Sequence, residues 1–183
     1  MRAGQDLFTS GINNSHSGNM SMLLDSQIII TRTQSQLHRL EIADLIQTSP
    51  HYRDAASRRA SADLEIHRRI YQDTGHRAAI HAHTPHAVAL SFRLDRIEPI
   101  DVEGKYYFEY IPIVDPMGEV GTPRLAGEIS KVLRNHPILV IRGHGTVAAG
   151  PTLNDALQNT TMVEAMCRLM FLDLNATALG PHH

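Results

Sequence analysis

Short apolar runs alternate with helical patterns along this chain, and that alternation admits few architectures. Gln27–Thr31 (QIIIT) is brief, β-branched and flanked by polar residues, so it predicts a buried strand; Ile138–Ile141 (ILVI) predicts another, and residues 78–83 a third. Residues 61–73 place Leu64, His67 and Tyr71 on one helical face, with Ser61 as N-cap and Gly75 as stop. Thr84-Pro85 is an N-cap and first-turn pair for a helix reaching about Phe92. Residues 97–102 and 107–114 read as strands joined by a turn at Glu103-Gly104-Lys105. Thr122-Pro123 opens a helix with Leu125, Ile129, Val132 and Leu133 on its apolar face, ended by Pro137. Thr152-Leu153-Asn154-Asp155 matches a capping box and opens a long helix that Gly180 can stop. Its Met162, Met166 and Met170 are expected to pack rather than react, since Met fills irregular apolar gaps. The polar stretch 48–60 is expected to be a loop or mobile excursion. The expected class is α/β, a modest sheet with helices against it.

The 183 residues suit a single domain over 1–183, with no repeat, low-complexity tract or dividing linker. His182 and His183, native or left from a purification tag, stay outside the chemistry. No apolar run approaches the roughly 20 residues that span a bilayer, and the amino terminus lacks an apolar signal core. Cys167 is the only cysteine, which excludes a disulfide scaffold and suits a reducing cytoplasm. The formal charge of −2, with no block of like charges, gives no sign of nucleic acid or membrane as partner. Twelve histidines, against no tryptophan, direct attention to imidazole chemistry.

His81-Ala82-His83 ends a predicted strand, and residues two apart on a strand share a face. Both imidazoles can therefore aim at one metal ion, although in a histidine-rich chain the pattern also arises by chance. Gly143-His144-Gly145 follows the ILVI strand, where glycines permit close approaches; it is either a cleft-lining turn or an exposed one. Asp63 lies at a helix start, where a carboxylate also favours the helix dipole, and His67 one turn on reads as a hydrogen-bonded core histidine. Ser15 to Ser21 is a polar loop around Gly18, ahead of Thr31-Arg32-Thr33; such groups can hold an anion or simply face water.

Taken in order, Ser17-Gly18-Asn19 before a strand ending in Thr, Ser61-Ala62-Asp63 with His67 four on, His81-Ala82-His83, Gly143-His144-Gly145 and a long last helix bearing Glu164 resemble the class II aldolase/adducin-head family. The resemblance runs from about Leu7 to Gly180. It implies a three-layer fold whose central, mostly antiparallel sheet is flanked by helices. It implies a divalent metal, Zn2+ or else Mn2+ or Co2+, on His81, His83 and His144, with Asp63 as acid/base. It further implies a phosphate pocket using Asn19, Thr31, Thr33 and Ser61, a sugar-phosphate substrate, and a homo-oligomer, tetramer favoured. Three-histidine zinc keeps a position open, so it can stabilise the enediolate left when a phosphorylated ketose is cleaved.

Three departures from the family pattern matter. Asp63 replaces the usual Glu, and the nearest substitute, Glu65, points elsewhere on a helix. Gln34 replaces a glycine in the phosphate loop and Ala62 a serine, with Arg32 as a source of compensating charge. Nothing selects a proton donor among Tyr106, Tyr107, Tyr110 and Glu103. A metal-dependent aldolase is the leading expectation. An epimerase, dehydratase or decarboxylase would share its chemistry, and a non-catalytic scaffold would lack it. A cupin-like oxygenase fits poorly, because the chain is rich in helix.

Overall fold

The structure, a computed structural model, describes residues 1–116, 118 and 121–177. In chain order the elements are α1 (Arg2–Thr9), β1 (Asn19–Leu24), β2 (Gln27–Thr31), β3 (Leu45–Thr48), α2 (Leu64–Asp73), β4 (Ala78–Ala82), α3 (Pro85–Ser91), β5 (Arg96–Ile97), α4 (Val102–Tyr107), β6 (Ile111–Val114), α5 (Pro123–Val132), β7 (Ile138–Ile141), β8 (Gly145–Gly150) and α6 (Leu153–Thr177). The strands form one sheet in the order β3-β2-β1-β4-β8-β7-β6-β5. Every neighbouring pair is antiparallel except β6 and β7, so the mostly antiparallel α/β class is as expected.

Alternation along the central strands divides the core into two layers. Ile80, Ala82, Ile138 and Val140 pack on one side with Leu7 of α1, Leu90 of α3 and Val163, Met166 and Cys167 of α6. Ala79, Leu139, Ile141 and Val147 pack on the other with Leu64, Ile66 and Ile70 of α2 and Leu125 and Ile129 of α5. Burying each such large side chain contributes roughly 1.5–3 kcal/mol, so the two helical layers hold the sheet from both faces. Met162 and Met170 pack at the margin of the first layer, as expected for filler. No helix among the described residues is long and apolar enough to cross a membrane.

The local expectations fail where tertiary contacts overrule them. Residues 103–105 are not a turn: Asp101 accepts the Gly104 N–H at 2.8 Å and caps a helix, α4, in its place. Ser61 is not the cap of α2. Asp63 holds the N-cap position, and Ser61 Oγ instead accepts the Asp63 N–H at 3.2 Å. Helix α5 ends at Val132, before Pro137 is reached. The stretch 48–60 is a tied loop: Asp54 accepts hydrogen bonds from Thr48, Ser49 and Ser57, and the buried Arg68 donates to the Ser49 and Tyr52 carbonyls. The capping box stands, with Asp155 N–H donating to Thr152 Oγ1 at 3.3 Å and Thr152 N–H to Asp155 Oδ2 at 2.9 Å. Gly180, His182 and His183 lie outside the described residues. Elements α1, β1, β3 and β8 were not anticipated.

Candidate metal centre

His81 is the penultimate residue of β4, and His83 follows the strand's last residue. His144 occupies the turn between β7 and β8, and the β4–β8 register, which pairs Ala82 with Thr146, sets that turn beside the end of β4. Both flanking glycines are required there. Gly143 has φ +69°, and a Cβ on Gly145 would overlap the Ala82 carbonyl oxygen. The three imidazole centroids lie 4.7–5.0 Å apart, and one nitrogen from each falls within 4.8 Å of the others.

The donor set suits a cation. His81 Nδ1–H donates to the Thr146 carbonyl at 2.9 Å, which fixes the tautomer and leaves Nε2 with its lone pair. That Nε2 faces His144 Nε2 at 3.3 Å. Two nitrogens bound to one tetrahedral ion at about 2.0–2.1 Å would stand about 3.3–3.4 Å apart. His144 Nδ1 is buried without a hydrogen-bond partner among the described residues. Burial, reinforced by the charge of neighbouring imidazoles, pushes the His83 pKa down to about 4 and lowers that of His144. Both are therefore neutral near pH 7, the form that ligates.

Asp63 lines the same open cleft, of about 260 Å3. Burial favours its neutral form, but the charge of His81, a hydrogen bond from Asn19 and the charges of His67 and His144 outweigh this and hold it below the usual carboxylate range. Behind it runs a chain of buried side chains. The carboxylate only accepts, so Asn19 Nδ2–H donates to Asp63 Oδ2 at 2.7 Å and Asn19 Oδ1 must accept, from His67 Nε2–H at 2.6 Å. His67 Nδ1 then accepts from Ser21 Oγ–H at 2.6 Å, and Ser21 accepts from the Tyr71 hydroxyl at 2.6 Å. His67 is the hydrogen-bonded core histidine expected. Ser21 and Tyr71 were not anticipated in this role. Their signal is periodicity: Asn19 and Ser21 share a face once residues 19–24 are read as a strand.

The phosphate-pocket candidates divide. Thr33 and Ser61 line the cleft. Asn19 lines it too, with its amide engaged as above. Thr31 does not line it; its Oγ1 accepts the Met20 N–H at 3.2 Å between strands. Arg32 is committed to Asp44, with Nε and Nη2 at 2.9 and 2.7 Å from one carboxylate oxygen. Gln34 adopts φ +60°, a backbone conformation that suits the glycine it replaces. Glu65 stands 4.0 Å from Arg68, outside the cleft lining. Glu103 lines a separate cavity against α6, Tyr110 packs on His136, and Tyr106 and Tyr107 are exposed. Glu164 binds the His86 ring at 2.6 Å and accepts the His86 and Ala87 N–H groups, capping α3 from α6. Asn13, also unanticipated, accepts the His83 N–H at 2.9 Å.

The family described as Class II Aldolase and Adducin N-terminal domain matches residues 1–171. Among solved structures, the L-fuculose-1-phosphate aldolase of Thermus thermophilus superposes with a TM-score of 0.94 at 31% identity, covering 100% of this chain and 95% of that one. A 3-oxo-tetronate 4-phosphate decarboxylase of Haemophilus influenzae is 26% identical, covering 93% of this chain and 84% of its own length. A probable bifunctional methylthioribose-1-phosphate isomerase/methylthioribulose-1-phosphate dehydratase of Nocardia farcinica is 25% identical over 97% of this chain, which spans only 35% of that relative.

Proposed function

Because the chain belongs to the Class II Aldolase and Adducin N-terminal domain family, we propose that it is a metal-dependent carbon–carbon lyase, an aldolase that reversibly cleaves a small phosphorylated ketose. Convergence of three imidazoles beside the Asp63 carboxylate is the observation that carries this reading. His81, His83 and His144 would hold the ion, with zinc favoured over manganese or cobalt by the all-nitrogen donor set. Once bound, a divalent cation supplies Lewis-acid stabilisation of negative charge developing on substrate oxygens.

The remaining work falls to the chain's own side chains. Asn19 occupies Asp63 Oδ2, so Oδ1 is the oxygen that takes a proton from substrate and returns it. Such proton transfer contributes typically about 10²–10⁴-fold. The Tyr71–Ser21–His67–Asn19 chain fixes the amide orientation, and with it the direction in which the carboxylate points. Thr33 and Ser61, which line the cleft, offer hydroxyl groups to the substrate.

A decarboxylase is the second reading, supported by the Haemophilus influenzae relative; there Asp63 would manage the proton that replaces lost carbon dioxide. The two separate when metal-loaded protein is given L-fuculose 1-phosphate, ribulose 5-phosphate and 3-oxo-tetronate 4-phosphate and the products are followed by NMR. Cleavage of a ketose phosphate into two carbonyl fragments is expected. Carbon dioxide release alone would favour the second reading, an epimerised pentulose would favour an epimerase, and no turnover of any substrate would discard all three. We also propose a homo-oligomer, tetramer favoured. Leu169, Phe171, Leu172 and Leu174 of α6 are 41–60% exposed, a run of apolar surface that association would cover. Sedimentation velocity tests this.

A further inference from the structure

His144 is held in place by a different means from the other two imidazoles. His81 lies within β4, and His83 follows that strand with its N–H donated to Asn13 Oδ1 at 2.9 Å. An imidazole that binds a metal is ordinarily oriented by a hydrogen bond from its other ring nitrogen, and His81 has one, to the Thr146 carbonyl. His144 Nδ1 is buried with no such partner among the described residues. Its ring is therefore only as well placed as the turn that carries it.

That turn is gripped from outside the sheet. Arg142 directly follows β7, where its N–H donates to the Val114 carbonyl at 2.9 Å, and its guanidinium reaches across to the end of α3. Nη1 donates to the Ser91 carbonyl and, at 2.9 Å, to the Leu94 carbonyl, while Nη2 donates to Asp95 at 3.1 Å. The last turn of a helix leaves carbonyls without intrahelical donors, and a cation there also meets the negative end of the helix dipole. Ser91, fully buried, accepts the Gly143 N–H on its hydroxyl at 2.9 Å and gives its own proton to the Val88 carbonyl at 2.7 Å. Phe92 closes the space beside Gly143, where a Cβ would come within 2.9 Å of its ring. The other end of α3 is fixed as well, by Glu164 on the His86 and Ala87 N–H groups. Helix α3 starts two residues beyond His83, so it links that histidine to the turn that bears His144.

We infer that Arg142 is a positioning residue for the metal centre: by fastening the 142–145 turn to the carbonyl end of α3, it does for His144 what the Thr146 carbonyl does for His81. The inference rests on the reading of the three histidines as metal ligands. Lysine is no equivalent, because a single ammonium lacks the planar fork that serves two carbonyls and a carboxylate together.

Two measurements on the full chain test it. In metal-free protein the Gly143 and His144 amides, bonded to Ser91 Oγ and the Ile141 carbonyl, are expected to exchange hydrogen about tenfold faster in R142M, with R142K between and β4 at the wild-type rate. Competition with a chelator for Zn2+ or Co2+ is expected to show about tenfold weaker binding in R142M and a smaller loss in R142K. D95N, altered at an exposed partner, should bind metal within about twofold of wild type. Metal affinity in R142M within about twofold of wild type would overturn the inference even if its unfolding midpoint fell, since a merely structural arginine supports the fold and not the site. Unchanged exchange at Gly143 and His144 would overturn it too. Faster exchange in R142M, in a protein whose wild type takes up no metal, would retain Arg142 as the clamp of this turn and remove the metal reading.

Discussion

Two polar clusters, one around the single His67 and one of three histidines, stand at the same end of the sheet and are built on opposite rules. Around His67 every ring nitrogen has a partner, and the chain from Tyr71 to Asp63 gives each donor an acceptor. Around His81, His83 and His144, two ring nitrogens face each other at 3.3 Å and a third atom, His144 Nδ1, is buried with no partner among the described residues. Acidity does not separate the clusters. Burial depresses both His67 and His83 to about 4, so each is neutral at pH 7. The hydrogen-bond inventory does separate them: a satisfied imidazole holds the protein's own shape, whereas facing lone pairs need a proton or a cation between them.

Breaking the unsatisfied cluster should have the largest effect. H81A is expected to lower metal affinity by more than about 100-fold, read by metal analysis after dialysis, at a stability cost of about 1–3 kcal/mol from the lost bond to the Thr146 carbonyl. If metal content stayed at wild-type level, the histidines would not be the ligands. At the junction of the clusters, D63N should lower kcat by about 10²–10⁴ with metal content unchanged, because the remaining amide oxygen still accepts from Asn19. Retained activity would exclude Asp63 as acid/base.

Within the satisfied cluster the expected loss is in stability. H67L strands Ser21 Oγ and Asn19 Oδ1 in the core, at a cost of about 2–4 kcal/mol in denaturant unfolding. The variant also tests the pH dependence. The native His67 pKa is about 4 against 6.5 for the free group, so between these values the unfolded chain binds a proton that the native state refuses. This contribution is complete above 6.5 and is lost as pH falls toward 4; H67L should flatten that limb of the stability curve. Y71F should be mildest, about 1 kcal/mol with activity within about twofold, since Ser21 still donates to His67. A large loss of activity in Y71F would show that the two clusters are not separable.

Legibility in the sequence followed how local the causes are. The strands at 27–31 and 138–141, the capped start of α5 and the capping box of α6 were readable because a few adjacent residues dictate them. Strand β8 was not: Gly145-Thr-Val-Ala-Ala-Gly150 has few strand-favouring residues, and it is extended because β4 and β7 pair on either side of it. Helix α4 was misread because a central glycine resembles a turn until Asp101 caps it. Arg32 lines the cleft, but its pairing with Asp44 was not legible for a similar reason, since that partner is twelve residues away and nothing local announces the pair.

For the candidate site, chemistry was written in the chain and convergence was not. Residue types and short spacings singled out His81, His83, His144 and Asp63 as candidates, and the resemblance to the class II aldolase/adducin-head family implied their roles, because a motif's ligand chemistry travels with its side chains. Pairing across the sheet decided that His144 meets His81, that Asn19 lies between Asp63 and His67, and that Thr31 is turned away, because strand register is set by the buried packing of both faces, a property of the assembled layers.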